Sequence, residues 1–390
     1  PPRSTLFPYT TLFRSRDNFT QFPTWLGETK SVVGCPIDCK YCFFQLDGQT
    51  PIKPKINISP EETLKLLGKS YTYHESIPVH FGSQTDAFST RENIKYYTKL
   101  LLEYGESNYN NPLIFITKKE VPDEFIKIVK QIRQKVVFYI SYSGLSDTEI
   151  EPNINTDDLK RSFIKLKEAN IARVHYWRPF LPYNSTKDKI GEILDFVNKY
   201  ATCSVVNGLR LNSGIRDNLV KFWPELSNRK FDFKKIGEFW PQGIREYIKN
   251  NVSEKYPNYP LFMGNTPCSL TYALETSDIA GLYKTRMCLD SLCQKTQKIK
   301  CHNNFRKPNI DDINTAVNKM EIDQKRVFLE ENKIVIEGNI ETGKIVYLKT
   351  ILKFPVLMTG NILYENGYNW ANISDENQVT EIPWKDNWIK

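Results

Sequence analysis

The stretch GCPIDCKYCFFQ, from Gly34 to Gln45, places Cys35, Cys39 and Cys42 within eight residues. The chain has 390 residues, 40% of them hydrophobic, and eight cysteines in total. Disulfide frameworks belong to small secreted domains with weak cores, whereas this chain is long enough to bury a large core. Three thiols set this close together therefore indicate a metal site.

Two kinds of metal site are compatible with three thiols in one loop. Structural zinc usually takes four ligands from two hairpins, so three thiols alone make an incomplete zinc site. Three thiolates can instead hold three irons of a [4Fe–4S] cluster and leave the fourth iron open for an exchangeable ligand. The spacing favours the iron–sulfur cluster, with zinc as the alternative.

Outside this loop, apolar runs alternate with capped helical segments. Ser59 and Ser89, each followed three residues later by Glu, predict helix starts. The runs predict six strands, in KSVVG before Cys35, PVHFG, PLIFIT, VVFYIS, ARVHYW and CSVVN. This alternation predicts an α/β fold with a parallel sheet, either doubly wound or a partial barrel, and the cysteine loop would lie at its carboxyl edge. No Gly-x-Gly-x-x-Gly follows the first strand, which disfavours a dinucleotide fold.

The Cys-x3-Cys-x2-Cys spacing, with Tyr41 just before the third cysteine, resembles radical S-adenosylmethionine (SAM) enzymes. The resemblance implies a partial (β/α)6 TIM-like barrel with a C-terminal α+β extension. It also implies that Cys35, Cys39 and Cys42 hold a [4Fe–4S] cluster whose open iron binds SAM. A reductant such as flavodoxin or ferredoxin would then drive cleavage of SAM to a 5′-deoxyadenosyl radical, which abstracts hydrogen from a substrate.

Several strand ends resemble the DNA-repair photolyase group, which includes spore photoproduct lyase. The fragments are HFGSQTDAF, FITKK, YISYSGL, IEPN and RPFLPYN, in the same order. The resemblance implies that these ends bind SAM through Tyr41, Gly82, Ser83, Thr85, Asp86, Lys118, Ser141, Ser143 and Arg178. Structural roles are the alternative for some of them: Thr85 and Asp86 as helix caps, Lys118 as a solvated lysine, and Arg178 as the partner of Glu151.

Ser83 departs from the pattern of spore photoproduct lyase, which carries a hydrogen-donating cysteine at the matching position. A serine O–H bond is too strong to donate a hydrogen atom as a thiol does, so thymine-dimer repair by that route is not expected. Cys203 could replace the missing donor, but a buried structural cysteine is the favoured interpretation.

Four late cysteines form a second group, with Cys268 in GNTPCSL and Cys288, Cys293 and Cys301 in RMCLDSLCQKTQKIKC. They predict a second [4Fe–4S] cluster, with zinc or unbound thiols as alternatives. The net charge of +8 and the cations around these thiols are compatible with a nucleic-acid substrate, weighed slightly above a peptide. Two rival functions remain: a radical SAM maturase of peptides, and a non-enzymatic zinc- or nucleic-acid-binding protein.

Composition shifts divide the chain into four segments. Residues 1–15, PPRSTLFPYTTLFRS, resemble translated adapter sequence or a disordered tail. We expect a core domain at 16–230, a cysteine-containing extension at 231–308 and a small α+β domain at 309–390, in which KIVIEGNI and GKIVYLKTILKFPVL predict a hairpin. No apolar run is long enough for a membrane span and no signal-peptide pattern begins the chain, so a cytoplasmic protein is expected.

Overall fold

The computed structural model describes residues 18–42, 53–146, 148–228, 238–359 and 379–382. The segment 1–15 and the end of the opening stretch, residues 43–45, lie outside the described residues. The strands in chain order are β1 (Phe19–Gln21), β2 (Leu26–Glu28), β3 (Val32–Val33), β4 (Lys55–Ile56), β5 (Val79–His80), β6 (Leu113–Thr117), β7 (Val136–Ile140), β8 (Ala172–Trp177), β9 (Cys203–Val206), β10 (Leu209–Arg210), β11 (Glu238–Pro241), β12 (Leu261–Met263), β13 (Val327–Leu329), β14 (Ile334–Ile336), β15 (Val356–Met358) and β16 (Val379–Ile382).

The α-helices in chain order are α1 (Pro60–Lys69), α2 (Arg91–Glu106), α3 (Asp123–Val129), α4 (Thr156–Glu168), α5 (Lys187–Tyr200), α6 (Ser213–Leu219), α7 (Ile244–Lys255), α8 (Thr266–Ala273), α9 (Arg286–Leu289), α10 (Lys295–Asn304), α11 (Ile310–Lys319) and α12 (Thr342–Leu352). The predicted cap of α1 is confirmed, since Ser59 Oγ accepts from Glu62 N at 3.2 Å. The predicted cap at Ser89 is wrong by one residue. Thr90 caps α2 by accepting from Asn93 N, while the Ser89 hydroxyl donates to the Asp86 carbonyl and accepts from the Asn93 side-chain amide.

An eight-stranded sheet forms the centre of the protein, in the order β1-β2-β5-β6-β7-β8-β9-β12. Strand β1 is antiparallel to β2, and all the following neighbours are parallel. The predicted α/β fold with a parallel sheet is therefore confirmed. The strands follow one another in chain order, without the reversal that defines a doubly wound sheet.

Five of the six predicted strands occur in this sheet, as β5 to β9. KSVVG does contain a strand, β3, but its predicted place as the first strand of the parallel sheet is wrong. Among the described residues, β3 pairs with β4 in a separate two-stranded ladder, and β2 takes the first parallel position. Strand β2 contains just Leu26, Gly27 and Glu28, and its single large apolar residue gives no periodic signal.

The two faces of the sheet bury different partners. On one face, Phe115 of β6 and Phe138 of β7 join a core that includes Phe125 of α3 and the apolar sides of α1, α2, α4, α5 and α7. On the other face, Tyr139 of β7 and Val205 of β9 pack with residues of α8 such as Leu270. The crossover helices thus cover one face, and α8 covers part of the other.

The C-terminal segment is built differently from its prediction. Strands β13 and β14 form an antiparallel pair, but GKIVYLKTIL forms the helix α12 and β15 then pairs parallel to β14. The predicted hairpin between KIVIEGNI and GKIVYLKTILKFPVL is therefore wrong. Ile345, Val346, Tyr347 and Leu348 are all buried in α12, and a short apolar run of this kind does not distinguish a strand from a buried helix. Among the helices that the structure describes, none has the length and apolar character needed to cross a membrane.

Replacing Phe115 by Ala tests the packing of the helix-covered face. Phe115 is 0% exposed, and its ring lies 5.0 Å from Phe125 and 5.9 Å from Phe138. We expect F115A to lower the free energy of unfolding by about 3–5 kcal/mol in urea denaturation, because it leaves a cavity among aromatic rings. The control L102A, at an exposed position of α2, should change it by less than about 0.5 kcal/mol. Equal effects of the two substitutions would contradict this packing.

Candidate functional site

The cysteine loop begins at Gly34 and is anchored to the turn after β5. Gly34 N donates to the Gln84 carbonyl at 3.1 Å, and Thr85 Oγ1 donates to the Gly34 carbonyl. Gly34 has a φ of +122°, and a Cβ there would lie 2.6 Å from the Lys53 carbonyl oxygen, so the position requires glycine. Thr85, predicted to contact SAM, thus fixes the start of the loop and also accepts from Asn93 Nδ2 at 2.9 Å.

The other side of the loop rests on the segment that precedes α4. Lys40 N donates to the Ile150 carbonyl at 3.0 Å. The Asn153 side-chain amide donates to the carbonyls of Pro36 at 3.3 Å and Ile37 at 3.4 Å. The loop is therefore held between the turn after β5 and the segment after β7, at the carboxyl edge of the parallel sheet.

The three thiols of this loop lie near one another. Cys39 is 8% exposed, Cys35 and Cys42 are partly buried, and Cys42 N donates to the Cys39 carbonyl at 3.0 Å. Burial, together with the charge of Asp86, raises the pKa of the Cys35 thiol to about 12, and burial raises the pKa of Cys39 well above its usual value. Each of these two pKa values is raised further by the negative charge of Cys42. Within the described ranges, no three His, Cys, Asp or Glu side chains are arranged to hold a single metal ion.

A buried carboxylate lies at the centre of the predicted SAM-binding residues. Glu151 accepts from Tyr41 Oη, from Lys118 Nζ at 2.7 Å and from Ser143 Oγ at 2.8 Å. The Lys118 ammonium also donates to the Ser141 carbonyl at 3.4 Å and lies 5.4 Å from the centroid of the Tyr41 ring. Tyr41, Lys118, Ser141 and Ser143 are therefore brought together, although they come from three separate segments.

Lys118 is not an ordinary solvated lysine, because it is paired with Glu151 and its side chain is 14% exposed. Glu151 forms its ion pair with Lys118 and not with Arg178, the partner considered from the sequence. The Arg178 guanidinium lies 4.0 Å from the centroid of the Tyr176 ring, and its charge contributes, after burial, to lowering the pKa of His80 to about 3. Arg178 therefore faces the β5 end of the same edge.

Asp86 and Ser83 bond to neighbouring structure. The Asp86 carboxylate, 5% exposed, accepts from Thr117 Oγ1 at 2.9 Å and from Lys118 N at 2.7 Å. It connects the turn after β5 to the end of β6, a structural role that differs from the helix cap considered for Asp86, since Thr90 caps α2. Ser83 Oγ is hydrogen-bonded to His80 Nδ1 at 3.0 Å.

Glu28, at the end of β2, is a second buried carboxyl that the sequence reasoning missed. Its oxygens accept from Ser31 N at 2.5 Å and from Gly82 N at 3.3 Å, and Tyr97 Oη lies 3.5 Å away. Burial raises the pKa of Glu28 to about 7, although the backbone hydrogen bonds of Ser31 and Gly82 act in the opposite direction. The sequence offered one signal for it: an acidic residue shortly before β3, the strand that leads into the cysteine loop.

The four late cysteines line one cavity that is open to solvent. Its wall also includes Asp278, Tyr283 and Lys298, among other residues. Cys268 lies in the first turn of α8. Leu292, next to Cys293, exchanges two backbone hydrogen bonds with Leu261 of β12. The cysteine that is most distant in sequence, Cys268, thus joins the other three.

Contacts within this cavity distinguish its thiols. Interaction between the Cys268 and Cys288 side chains raises the pKa of Cys268 and lowers that of Cys288. Burial, reinforced by the charges of Cys288 and Cys301, raises the pKa of Cys293 to about 12. Cys203 is fully buried on the α8-covered face, where it contacts the Ser269 carbonyl at 3.8 Å, as expected for a structural cysteine.

Comparisons with known proteins gave matches among solved structures. No protein-family model matches the chain, and no curated protein does. A spore photoproduct lyase complexed with dinucleoside spore photoproduct matches at 13% identity and a TM-score of 0.48, over 64% of this chain and 80% of the other. A mutant spore photoproduct lyase matches at 14% identity and a TM-score of 0.45, over 60% and 75% of the two chains.

Streptococcus suis SuiB bound to S-adenosylmethionine matches at 12% identity and a TM-score of 0.43, over 65% of this chain and 54% of the other. Spore photoproduct lyase and SuiB are radical SAM enzymes, the group that the cysteine spacing resembles. At these identities and TM-scores, the similarities do not by themselves establish a family for the chain.

The raised pKa of Glu28 predicts a pH-dependent contribution to stability. The folded protein binds this proton more tightly than the unfolded chain, in which the pKa is near 4.5. The contribution is therefore present below pH 4.5 and is lost as the pH rises through about 7, with a total change of about 3 kcal/mol. Urea denaturation of the metal-free protein and of E28Q across this range measures the difference between them.

We expect the stability of the native protein relative to E28Q to decrease steadily from pH 4.5 to pH 7. The control E62Q, at an exposed position of α1, should show no such trend. A pH-independent difference in stability between the native protein and E28Q would contradict the raised pKa of Glu28.

Proposed function

We propose that this chain is a radical SAM enzyme in which Cys35, Cys39 and Cys42 hold a [4Fe–4S] cluster. The observation that carries the proposal is the cysteine loop itself. Its three thiols lie close together at the carboxyl edge of a parallel sheet, and the loop is anchored on both sides by hydrogen bonds. Chemistry in α/β proteins concentrates at this edge, because the loops that follow parallel strands meet there.

The donor set of the loop suits an iron–sulfur cluster. Thiolates are soft ligands of Fe–S clusters, and a coordinated thiol is deprotonated by the charge of the metal. Burial opposes this deprotonation at Cys35 and Cys39, while the nearby Lys118 ammonium favours it at Cys39. When bound, the cluster and SAM supply reductive cleavage of SAM and hydrogen abstraction from a substrate.

The SAM site we propose lies next to this loop. Lys118, Ser141 and Arg178 directly follow β6, β7 and β8. Because side chains alternate between the two faces of a sheet, all three belong to the face on which α8 packs nearer the middle of the strands. Lys118 would meet the SAM carboxylate, and Ser141 and Ser143 its carboxylate or ribose. Arg178 would meet an anionic or hydroxyl group of the cofactor. Gly82 and Ser83 lie in the turn that would face the amino group, and Thr85 and Asp86 hold that turn in place. A partial barrel, with a core domain at 16–230, is the form of the sheet that we propose with this site.

We further propose that the four late cysteines bind a second metal centre, a [4Fe–4S] cluster with zinc as the alternative. All four line one cavity, and the Cys288 and Cys268 side chains lie close enough for each to shift the pKa of the other. Lys298 in the cavity wall, whose charge contributes to lowering the pKa of Cys288, favours an anionic cluster. We place this centre in the extension at 231–308, with a separate α+β domain at 309–390.

The substrate we propose is nucleic acid, with a peptide as the second candidate. Around the four-cysteine cavity the sequence is strongly basic, which suits a phosphate backbone. A second metal centre in a C-terminal extension, by contrast, favours a peptide-modifying maturase. Ser83 is hydrogen-bonded to His80 and has no transferable hydrogen atom of the thiol type, so repair chemistry that uses a donor at this turn is not proposed. A cytoplasmic location with a flavodoxin or ferredoxin reductant is part of the proposal.

Removing one thiol of the loop tests the first proposal. We expect C39A to lose the cluster and to form no 5′-deoxyadenosine from SAM in the presence of dithionite, because the loop then offers only two thiolates. C203A removes a buried thiol outside both ligand sets and should retain the iron and the cleavage. SAM cleavage by C39A at the native rate would overturn the assignment of the cluster.

Removing one thiol of the cavity tests the second proposal. Anaerobically prepared native protein should contain about eight irons, and C293A about four, with 5′-deoxyadenosine still formed from SAM. The measurement is iron, zinc and sulfide content in the same preparation. Zinc in place of half of the iron would favour the zinc alternative, and an unchanged metal content in C293A would remove the second centre.

A further inference from the structure

The Glu151 carboxylate is a buried charge to which the proposed reaction assigns no role. Its side chain is 0% exposed. Its three side-chain donors are Tyr41 in the cysteine loop, Lys118 after β6 and Ser143 after β7. One carboxylate therefore connects the cysteine loop to the ends of two adjacent strands.

Neighbours of Glu151 in sequence hold the same loop through backbone contacts. Ile150 accepts from Lys40 N, and the Asn153 amide donates to the carbonyls of Pro36 and Ile37. Tyr41 lies between Cys39 and Cys42, so its hydrogen bond to Glu151 acts on the turn that carries both thiols. Residues 150–153 thus support the cysteine loop along most of its length, and Glu151 supplies the side-chain contact to Tyr41, the residue next to Cys42.

The charge of Glu151 is paired next to Cys39. The Lys118 ammonium lies 2.7 Å from Glu151 Oε1. Both charges act on the Cys39 thiol, with opposite signs. Removing the carboxylate alone would leave the Lys118 ammonium unpaired in a partly buried site.

We infer that Glu151 is the positioning residue of the cysteine loop. It holds Tyr41, and with it the turn from Cys39 to Cys42, at the ends of β6 and β7, and it neutralises Lys118 beside Cys39. This inference rests on the proposed function, since a cluster at Cys39 is what the positioning and the charge balance would serve.

The first experiment measures positioning in the metal-free protein. Alkylation of Cys39, followed by mass spectrometry, is compared in the native protein, Y41F, E151Q and the control E149Q. Glu149 is the same residue type two positions away, but its side chain is 75% exposed and pairs with Lys221 at the surface. We expect alkylation of Cys39 to be about tenfold faster or more in Y41F and E151Q, because the loop opens more often, and unchanged in E149Q.

Cys203, which is fully buried elsewhere, serves as an internal reference for global unfolding in each sample. If E151Q also exposes Cys203, then Y41F, which retains both buried charges, decides the question. Native alkylation rates of Cys39 in Y41F and in folded E151Q would overturn the positioning role.

The second experiment measures the charge balance in the iron-loaded protein by a redox titration followed by electron paramagnetic resonance. We expect E151Q to raise the reduction potential of the cluster, because the unpaired Lys118 ammonium stabilises the added electron. The double variant E151Q/K118M, which removes both charges, should return the potential towards the native value, and E149Q should not change it. A native potential in E151Q would overturn the charge balance.

The two experiments separate this inference from the proposed function. If the native protein binds no iron at the cysteine loop, the proposed function fails, and the alkylation rates still decide whether Glu151 positions the loop. If the native protein binds iron and cleaves SAM, but Y41F and E151Q show native alkylation rates and E151Q a native reduction potential, the inference alone fails.

Discussion

The cysteine loop depends on its attachment to the sheet at two places. Three thiols in eight residues of irregular chain would sample many arrangements, and the entropy of ordering them has to be offset by contacts outside the loop. The Gly34 contacts to Gln84 and Thr85 hold one side, and the contacts of residues 150–153 hold the other. Because both anchors follow strands of the parallel sheet, the position of the thiols is determined by the β5, β6 and β7 ends.

Electrostatics at this edge combine buried charges of both signs. Glu151 and Lys118 neutralise each other at 2.7 Å, while Asp86 receives a hydroxyl and two backbone N–H groups. A buried ion pair gains little net stability, since the desolvation of both groups opposes their attraction. Such a pair is better explained by the arrangement it maintains than by the stability it provides.

Apolar periodicity was sufficient to predict most of the sheet but not its first strand or its last helix. Strands β6 and β7 are nearly continuous apolar runs, as expected when both faces are buried. The short β2 has no such run, and α12 has one that looks like a strand, so local pattern failed at both. At the site, family resemblance brought in Lys118, Ser141 and Ser143, whereas Glu28 was missed and Glu151 was considered only as a partner of Arg178. Their importance comes from burial against distant segments, which residue spacing does not encode.

The four-cysteine cavity has a fixed side and an exposed side. Cys268 is carried by α8, whose Leu270 is buried against the sheet, and Cys293 follows the backbone bridge to β12. Cys301, in contrast, lies on α10. Of the ten residues that the structure describes for this helix, Gln297 alone is buried. In the metal centre proposed for this cavity, Cys268 and Cys293 would therefore be the ligands attached to the sheet, and Cys301 would be the ligand recruited last. A chelator would then remove the metal from Cys301 first, and α10 would unfold locally before the rest of the protein. Protease sensitivity in this helix would therefore report on metal loss.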